Sequence, residues 1–315
     1  MAFRYSFVVP IYNDGRLARA FCVEFQQVFR RYLGVDDISN YLEILFINDG
    51  SLDDSELQIK AVCDEFPFVK GISLSRNFGH HPAISCGYHH ASGEFVGMLN
   101  VDLEDPPSEI LKLLPLLESG EFDIAYGLYE ERHVPWMRNL TSVAFAHILN
   151  WLTGSKVPTN VSTLRVMNRR FLNAYNSLKE RRRYLPGLEN WLGFRHGYVT
   201  VQHRQRTDGR SSYTFRTRLL MAAESIVSFS DLPLRIMAFL GFVVAMIGFF
   251  ALLVILIQKL LLVDYQPGYA STISVIVFFG GLQMLVTGLA SIYIGRVLNE
   301  VQGRPLYVVR EKYGL

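Results

Sequence analysis

The 315-residue chain has only three cysteines, Cys22, Cys63 and Cys86. An odd, sparse set excludes a disulfide framework, and its spacing suggests no zinc site. The chain therefore reads as reduced and cytosol-facing. Charge is also scarce: charged residues make up 19% and the net charge is +2, so bulk charge gives no case for nucleic-acid binding. No Gly-x-Gly-x-x-Gly or P-loop pattern follows any candidate strand, which weighs against dinucleotide and ATP-type sites. The opening run Tyr5-Ser6-Phe7-Val8-Val9 reads as a strand rather than a signal peptide. What is abundant is apolar character. Half the residues are hydrophobic and mean hydropathy is +0.18, which excludes a disordered chain. The length suffices for about two units at ~150 residues each.

The apolar excess lies at one end. Residues 236–257 and 273–294 are uncharged stretches of 22 residues each, and ~20 apolar residues span a bilayer core. The joining loop carries only Lys259 and Asp264, whereas Arg235 precedes the first stretch and Arg296, Arg304, Arg310 and Lys312 follow the second. The positive-inside rule then predicts a two-helix transmembrane hairpin with both outer flanks in the cytoplasm. Gly241, Gly248, Gly280, Gly281 and Gly288 would let helices pack closely, within the hairpin or between subunits. Charge is also polarised along the chain. Residues 1–135 sum to −11 and residues 165–218 to +10. The acidic part suits a hard cation, and the basic part suits phosphates or an anionic membrane surface.

In the N-terminal region, strand-like runs at 5–9, 43–47, 69–74, 94–99 and 122–126 alternate with helical spacing over 16–33, 53–65, 80–91, 107–118 and 138–152. That alternation predicts an α/β fold with a mostly parallel sheet, whose ligands bind at the carboxyl ends of the strands. Polar motifs follow the first, second and fourth runs: Pro10-Ile11-Tyr12-Asn13-Asp14, Asn48-Asp49-Gly50-Ser51, and Asn100 through Pro107. Taken alone, Asn-Asp-Gly-Ser is a turn in which Ser51 caps a helix, and Asp105-Pro106-Pro107 is a helix start with Asp as the cap. Asp102 and Glu104 alternate with Val101 and Leu103, which predicts two carboxylates on one side of a strand end. Such a pair favours a bridging cation such as Mg²⁺ or Mn²⁺. His80, His81, His89 and His90 flank Cys86; a zinc cluster is conceivable, and a plain helix over 80–91 is the blander reading.

In order, VVPIYND, FINDGSLDDS and LSRNFGHHPAISCGYHHASGEFVGMLNVDLEDPP resemble the inverting, GT-A-fold glycosyltransferases of family 2. YLPGLENWLGF, SFSDLPLRIMAFLGF, FFGGLQMLVTGLASIYIGRV and RPLYVVRE narrow the resemblance to the polyprenyl-phosphate glycosyltransferases, the group of bactoprenol glucosyltransferases and dolichol-phosphate mannose synthases. It covers nearly the whole chain. It implies a GT-A core over 1–135, an acceptor-side and membrane-interface region over 136–230, and the hairpin with a cytoplasmic tail over 231–315.

The resemblance also implies roles. Pro10, Tyr12, Asn13, Asp49, Gly50, Ser51, Asn77, Asn100, Val101 and Asp102 fall at the nucleotide, with Asp102 and Glu104 on the metal. Arg132, Arg138, Ser142, Arg206, Ser211 and Tyr213 fall at the acceptor phosphate, and Asp102, Arg206 and Arg165 near the reacting groups. The implied reaction transfers one sugar from a nucleotide diphosphate sugar, a UDP-sugar by family type, to undecaprenyl phosphate. The implied setting is the inner (plasma) membrane, as a multi-pass homo-oligomer, a tetramer among the forms, with a cytoplasmic catalytic domain. Three residues depart from the family pattern. Asn100 replaces the first Asp of its D-x-D motif, Thr163 an Asp often treated as catalytically important, and Ser212 a lysine. These departures fit another donor sugar, a variant subfamily, or weakened activity. The competing functions are a non-catalytic membrane scaffold with a degenerate site, and another family 2 membrane synthase. The latter would use more membrane helices and a Gln-x-x-Arg-Trp-type motif, which this sequence lacks.

Overall fold

A computed structural model describes residues 3–129, 160–180, 185–204 and 268–314, with scattered positions between 237 and 257. Two units divide the chain: residues 1–213 with 304–315, and residues 214–303.

The first unit is built on one eight-stranded sheet. Its strands are β1 (Tyr5–Ile11), β2 (Leu42–Asn48), β3 (Val69–Leu74), β4 (Phe95–Met98), β5 (Ile124–Tyr129), β6 (Val161–Asn168), β7 (His196–Val201) and β8 (Val309–Tyr313), in the order β7-β5-β6-β4-β1-β2-β3-β8. β1 pairs in parallel with β2 and β4, β2 with β3, and β5 with β7; β6 and β8 run antiparallel to their neighbours. The five expected strands are all present. The expected core boundary at residue 135 cuts this sheet, because β6, β7 and β8 lie beyond it.

The central strands form because their apolar runs are covered on both faces. All seven residues of β2 are buried. On one face lie α1 (Ala18–Leu33) and α2 (Ser55–Glu65). Ala18, Phe21, Cys22, Phe25 and Phe29 recur at helical spacing and are buried. Phe25 packs edge-on to Phe7 at 5.0 Å and stacks on Phe29 at 4.4 Å. Truncating Phe25 to alanine would cost ~3–5 kcal/mol. On the other face lies α3 (His80–His90), set so close that a Cβ on Gly87 would stand 2.2 Å from Val8 Cγ1. The helix expected over 107–118 is two short ones, α4 (Pro107–Ile110) and α5 (Leu114–Glu118), with Pro115 in the first turn of the second. α6 (Arg169–Ser177) and α7 (Leu185–Trp191) follow β6.

In the second unit, α8 (Tyr269–Val301) contains the second uncharged stretch. Its 33 residues make a rod of about 50 Å at 1.5 Å per residue. Phe279–Val301 is the one segment among the described residues long and apolar enough to cross a membrane. The stretch 236–257 lies largely outside the described residues, so one helix of the expected hairpin is described.

Candidate active site

β1 lies between β2 and β4, so chain order reverses there, and in open α/β sheets ligands bind outside the carboxyl ends of the strands at such a point. The loops after β1, β2, β3 and β4 meet at this edge. Because β6 runs antiparallel, its first residues reach the same edge, together with the ends of β5 and β7.

The first three loops are tied to one another. Asn13 sits at φ 58°, a left-handed conformation that Asn tolerates. Its main-chain N–H donates to Ser51 Oγ at 3.0 Å, and its Oδ1 accepts from Leu52 N–H at 2.9 Å. Ser51 N–H donates to Asn48 Oδ1 at 3.0 Å. Ser51 therefore joins two loops and caps no helix, since α2 begins at Ser55 after Asp54. Asp49, 3% exposed, accepts Phe78 N–H at 2.8 Å and Gly79 N–H at 2.9 Å. Burial raises its carboxyl pKa, against the pull of these two donors and Arg76. Gly50 has φ 64°, and a Cβ there would lie 2.2 Å from the Arg76 carbonyl carbon; a side chain does not fit. Pro10, Tyr12, Asn13, Asp49, Gly50, Ser51 and Asn77 are thus brought to one edge, with the Tyr12 ring 43% exposed.

The loop after β4 departs from the extended geometry expected of it. The strand ends at Met98, the chain turns at Val101–Asp102, and Leu103 has φ 57°. Asp102 and Glu104 are close because of this turn and not because of strand alternation; Glu104 N–H donates to Asp102 Oδ1 at 3.2 Å. Both carboxylates are half-buried. Among the described residues no group of three or more His, Cys, Asp or Glu could hold a metal. A pair of carboxylates does fit Mg²⁺ or Mn²⁺ when substrate phosphates complete the shell.

Asp105 is not a helix cap. Pro106 occupies the cap position of α4, and the Asp105 carboxylate, 3% exposed, is a hub. It accepts from Tyr129 Oη at 3.0 Å, Thr163 Oγ1 at 2.9 Å and Ser162 Oγ at 3.2 Å, and lies 3.1 Å from His203 Nδ1. Burial, with the Asp105 charge beside it, pushes the Tyr129 phenol up to about 12, so it stays a donor. Asn100 Nδ2 donates to Thr163 Oγ1 at 3.2 Å. The two departures from the family's acidic residues are therefore bonded to each other.

Arg165, expected near the reacting groups, is committed elsewhere. One terminal nitrogen donates to both oxygens of Glu189 at 2.9 Å, with side chains 8% and 0% exposed. Tyr126 Oη donates to the same carboxylate at 2.9 Å. Burial opposes the Arg165 charge, but Glu189 outweighs it and raises the guanidinium pKa. The pair fastens α7 to the sheet. The histidines lie on α3 as a helix. His89 and His90 contact main-chain oxygens four residues back, and burial lowers the His80 and His81 pKa values. Arg132, Arg138, Ser142, Arg206, Ser211, Ser212 and Tyr213 lie outside the described residues.

Asp105, Tyr129, His203 and Glu189 were not singled out from sequence. The available signals were the Asp-Pro-Pro triplet, a histidine three residues before Arg206, and the place of Glu189 within YLPGLENWLGF.

The sequence profile of Glycosyl transferase family 2 matches residues 6–175. The chain belongs to that family. Its relatives share its full length. An uncharacterized glycosyltransferase of Synechocystis sp. is 32% identical over 100% of this chain and 97% of its own. A prophage-derived bactoprenol glucosyl transferase of Shigella flexneri is 31% identical over 98% of both chains. Among solved structures, glucosyl-3-phosphoglycerate synthase from Mycobacterium tuberculosis, with Mn²⁺ and UDP, is 19% identical over 72% of this chain and 78% of its own, at a TM-score of 0.47. The sheet order and the family match together make the fold GT-A, and the chain a glycosyltransferase similar to the bactoprenol enzymes.

Proposed function

We propose that this chain moves one sugar, with inversion, from a UDP-sugar to polyprenyl phosphate. The observation that carries the proposal is end-to-end similarity to a bactoprenol glucosyl transferase, 98% of both chains, in a chain that retains the tied nucleotide loops and the carboxylate pair. The Tyr12 ring and the Asn13, Asp49 and Ser51 loops take the nucleoside, with Pro10, Gly50, Asn77, Asn100 and Val101 shaping the pocket. Asp102 and Glu104 would hold Mg²⁺ or Mn²⁺. A divalent cation held by these two residues would offset charge developing on the leaving UDP.

The acceptor is a phosphate monoester, largely dianionic near pH 7 because its second pKa is ~6. It attacks the anomeric carbon without needing a carboxylate base, which makes Thr163 compatible with turnover. What it does need is positive charge to bring two anions together. Arg132, Arg138 and Arg206, with Ser142, Ser211 and Tyr213, supply that role, since guanidinium forks match phosphate oxygens. Arg165 leaves that set and becomes structural. The hydrogen bond between Asn100 and Thr163 favours a working variant site over a degenerate scaffold. α8 and the 236–257 stretch form the hairpin in the plasma membrane, with residues 136–230 at the interface, the glycosyltransferase domain in the cytoplasm and the chain a homo-oligomer.

The test is cation-dependent consumption of UDP-, GDP- and dTDP-sugars by purified protein with polyprenyl phosphate. One donor should be consumed, and Asp102→Ala should abolish it. No consumption of any donor by the folded protein overturns the proposal.

A further inference from the structure

We infer that Asp105 and His203 form a clamp that positions Glu104, and with it one side of the cation–diphosphate site; the inference rests on the role proposed for Asp102 and Glu104. Asp105 fixes the chain next to Glu104. Its buried carboxylate gathers groups from three strand ends: Tyr129 from β5, Ser162 and Thr163 from β6, and His203 beyond β7. An ionised carboxylate only accepts, so the imidazole donates from Nδ1. That bond sets the ring orientation, as an outer-shell carboxylate does for many functional histidines.

The ring is also held edge-on to Tyr129, centroids 4.9 Å apart. Its other edge then faces Glu104, with Nε2 3.8 Å from Oε2. The next residue completes the grip: Arg204 N–H donates to the Glu104 carbonyl at 2.8 Å. Glu104 is thus restrained through its own main chain, its neighbour Asp105 and the ring beside its carboxylate. The loop needs such restraints, because Leu103 occupies the left-handed region and leaves the extended path. His203 is a positioning residue in this account, acting through Nδ1 on the loop.

The experiment exploits the two ring nitrogens. An asparagine amide N–H stands roughly where Nδ1 stands, and a glutamine amide where Nε2 stands. Mn²⁺ binding in the presence of UDP is measured by calorimetry on the full chain in detergent, for wild type and for His203→Asn, His203→Gln and His203→Ala. The His203 side chain is mostly buried against the Asp105 carboxylate, so His203→Gln and His203→Ala should melt earlier than wild type, and binding is compared well below every variant's transition. His203→Asn should bind Mn²⁺ nearly as wild type does, whereas His203→Gln and His203→Ala should weaken binding about 10- to 100-fold. Lipid product should fall in parallel, with the KM for the lipid acceptor unchanged. Retention by Gln but not Asn, or wild-type binding in all three, overturns the clamp. If Mn²⁺–UDP binds but no lipid product forms, the acceptor assignment fails and the calorimetry alone decides the clamp. If wild type binds no Mn²⁺ with UDP, both fail.

Discussion

Arg165→Met should destabilise the fold before it affects chemistry. The substitution strips Glu189, fully buried, of two 2.9 Å hydrogen bonds and of its counter-charge, leaving it only the Tyr126 hydroxyl among the bonds described above. Removing one partner of a buried pair costs ~3–5 kcal/mol, a large part of the ~5–15 kcal/mol that holds a domain together. Removing the whole network should cost far less. Arg165→Met with Glu189→Leu is near neutral on the charge account, and adding Tyr126→Phe avoids an orphaned hydroxyl worth ~1–3 kcal/mol. Urea midpoints of purified protein in detergent give the comparison: a large drop for the single variant and substantial recovery for the triple. Lipid product from the recovered triple variant would show that the guanidinium is dispensable to catalysis. A single variant that melts like wild type yet has lost turnover would refute the reasoning, because the guanidinium would then meet substrate.

Three further perturbations follow from the same geometry. Gly50→Ala places a Cβ against the Arg76 main chain, 2.2 Å from its carbonyl carbon, so UDP binding by calorimetry should be lost; wild-type affinity would show the loop is not the pocket. Burial, with His80 and Arg165 nearby, lowers the His81 pKa to about 4. A histidine with a depressed folded pKa stabilises above its unfolded value of ~6.5, and that contribution, at most about 3 kcal/mol, is lost as pH falls from ~6.5 toward ~4. Melting temperatures across that window should fall less steeply for His81→Gln than for wild type, and equal slopes would contradict the assignment. Stopping the chain at Gly303 removes β8 and uncovers the edge of β3; the truncated protein should melt earlier and aggregate, and an unchanged melting curve would show that β8 is dispensable.

How much of this was legible in the sequence depended on which residues carried the signal. β1 and β2 announce themselves through continuous apolar runs, and α1 through its phenylalanine spacing, because burial on both sheet faces or along one helix stripe leaves a periodic trace. β6 and β8 do not. VSTLRVMN carries an arginine whose partner, Glu189, lies 24 residues on, and VREKY is mostly charged; tertiary pairing overrides local pattern in both. The sequence pattern pointed to the acidic loop but assigned it the wrong geometry. Alternation assumes an extended chain, and nothing in Val-Asp-Leu-Glu foretells the left-handed Leu103. Asp105 was hidden by a sound local rule, since an Asp before two prolines does read as a helix start. Its actual partners come from β5, β6 and the end of β7, distances in sequence that no local pattern spans. Arg165 shows the converse: a basic residue in a basic stretch reads as a phosphate ligand until its buried carboxylate is seen.

The central claim is that the acceptor is a polyprenyl phosphate. The most direct measurement is mass spectrometry of the lipid fraction after purified protein is incubated with undecaprenyl phosphate, Mn²⁺ or Mg²⁺ and the donor it consumes. The account predicts one new species, the polyprenyl-phosphate sugar carrying a single sugar unit, formed by wild type and absent with Asp102→Ala. Donor turnover with no lipid-linked sugar, or a lipid carrying a growing chain of sugars, would contradict it.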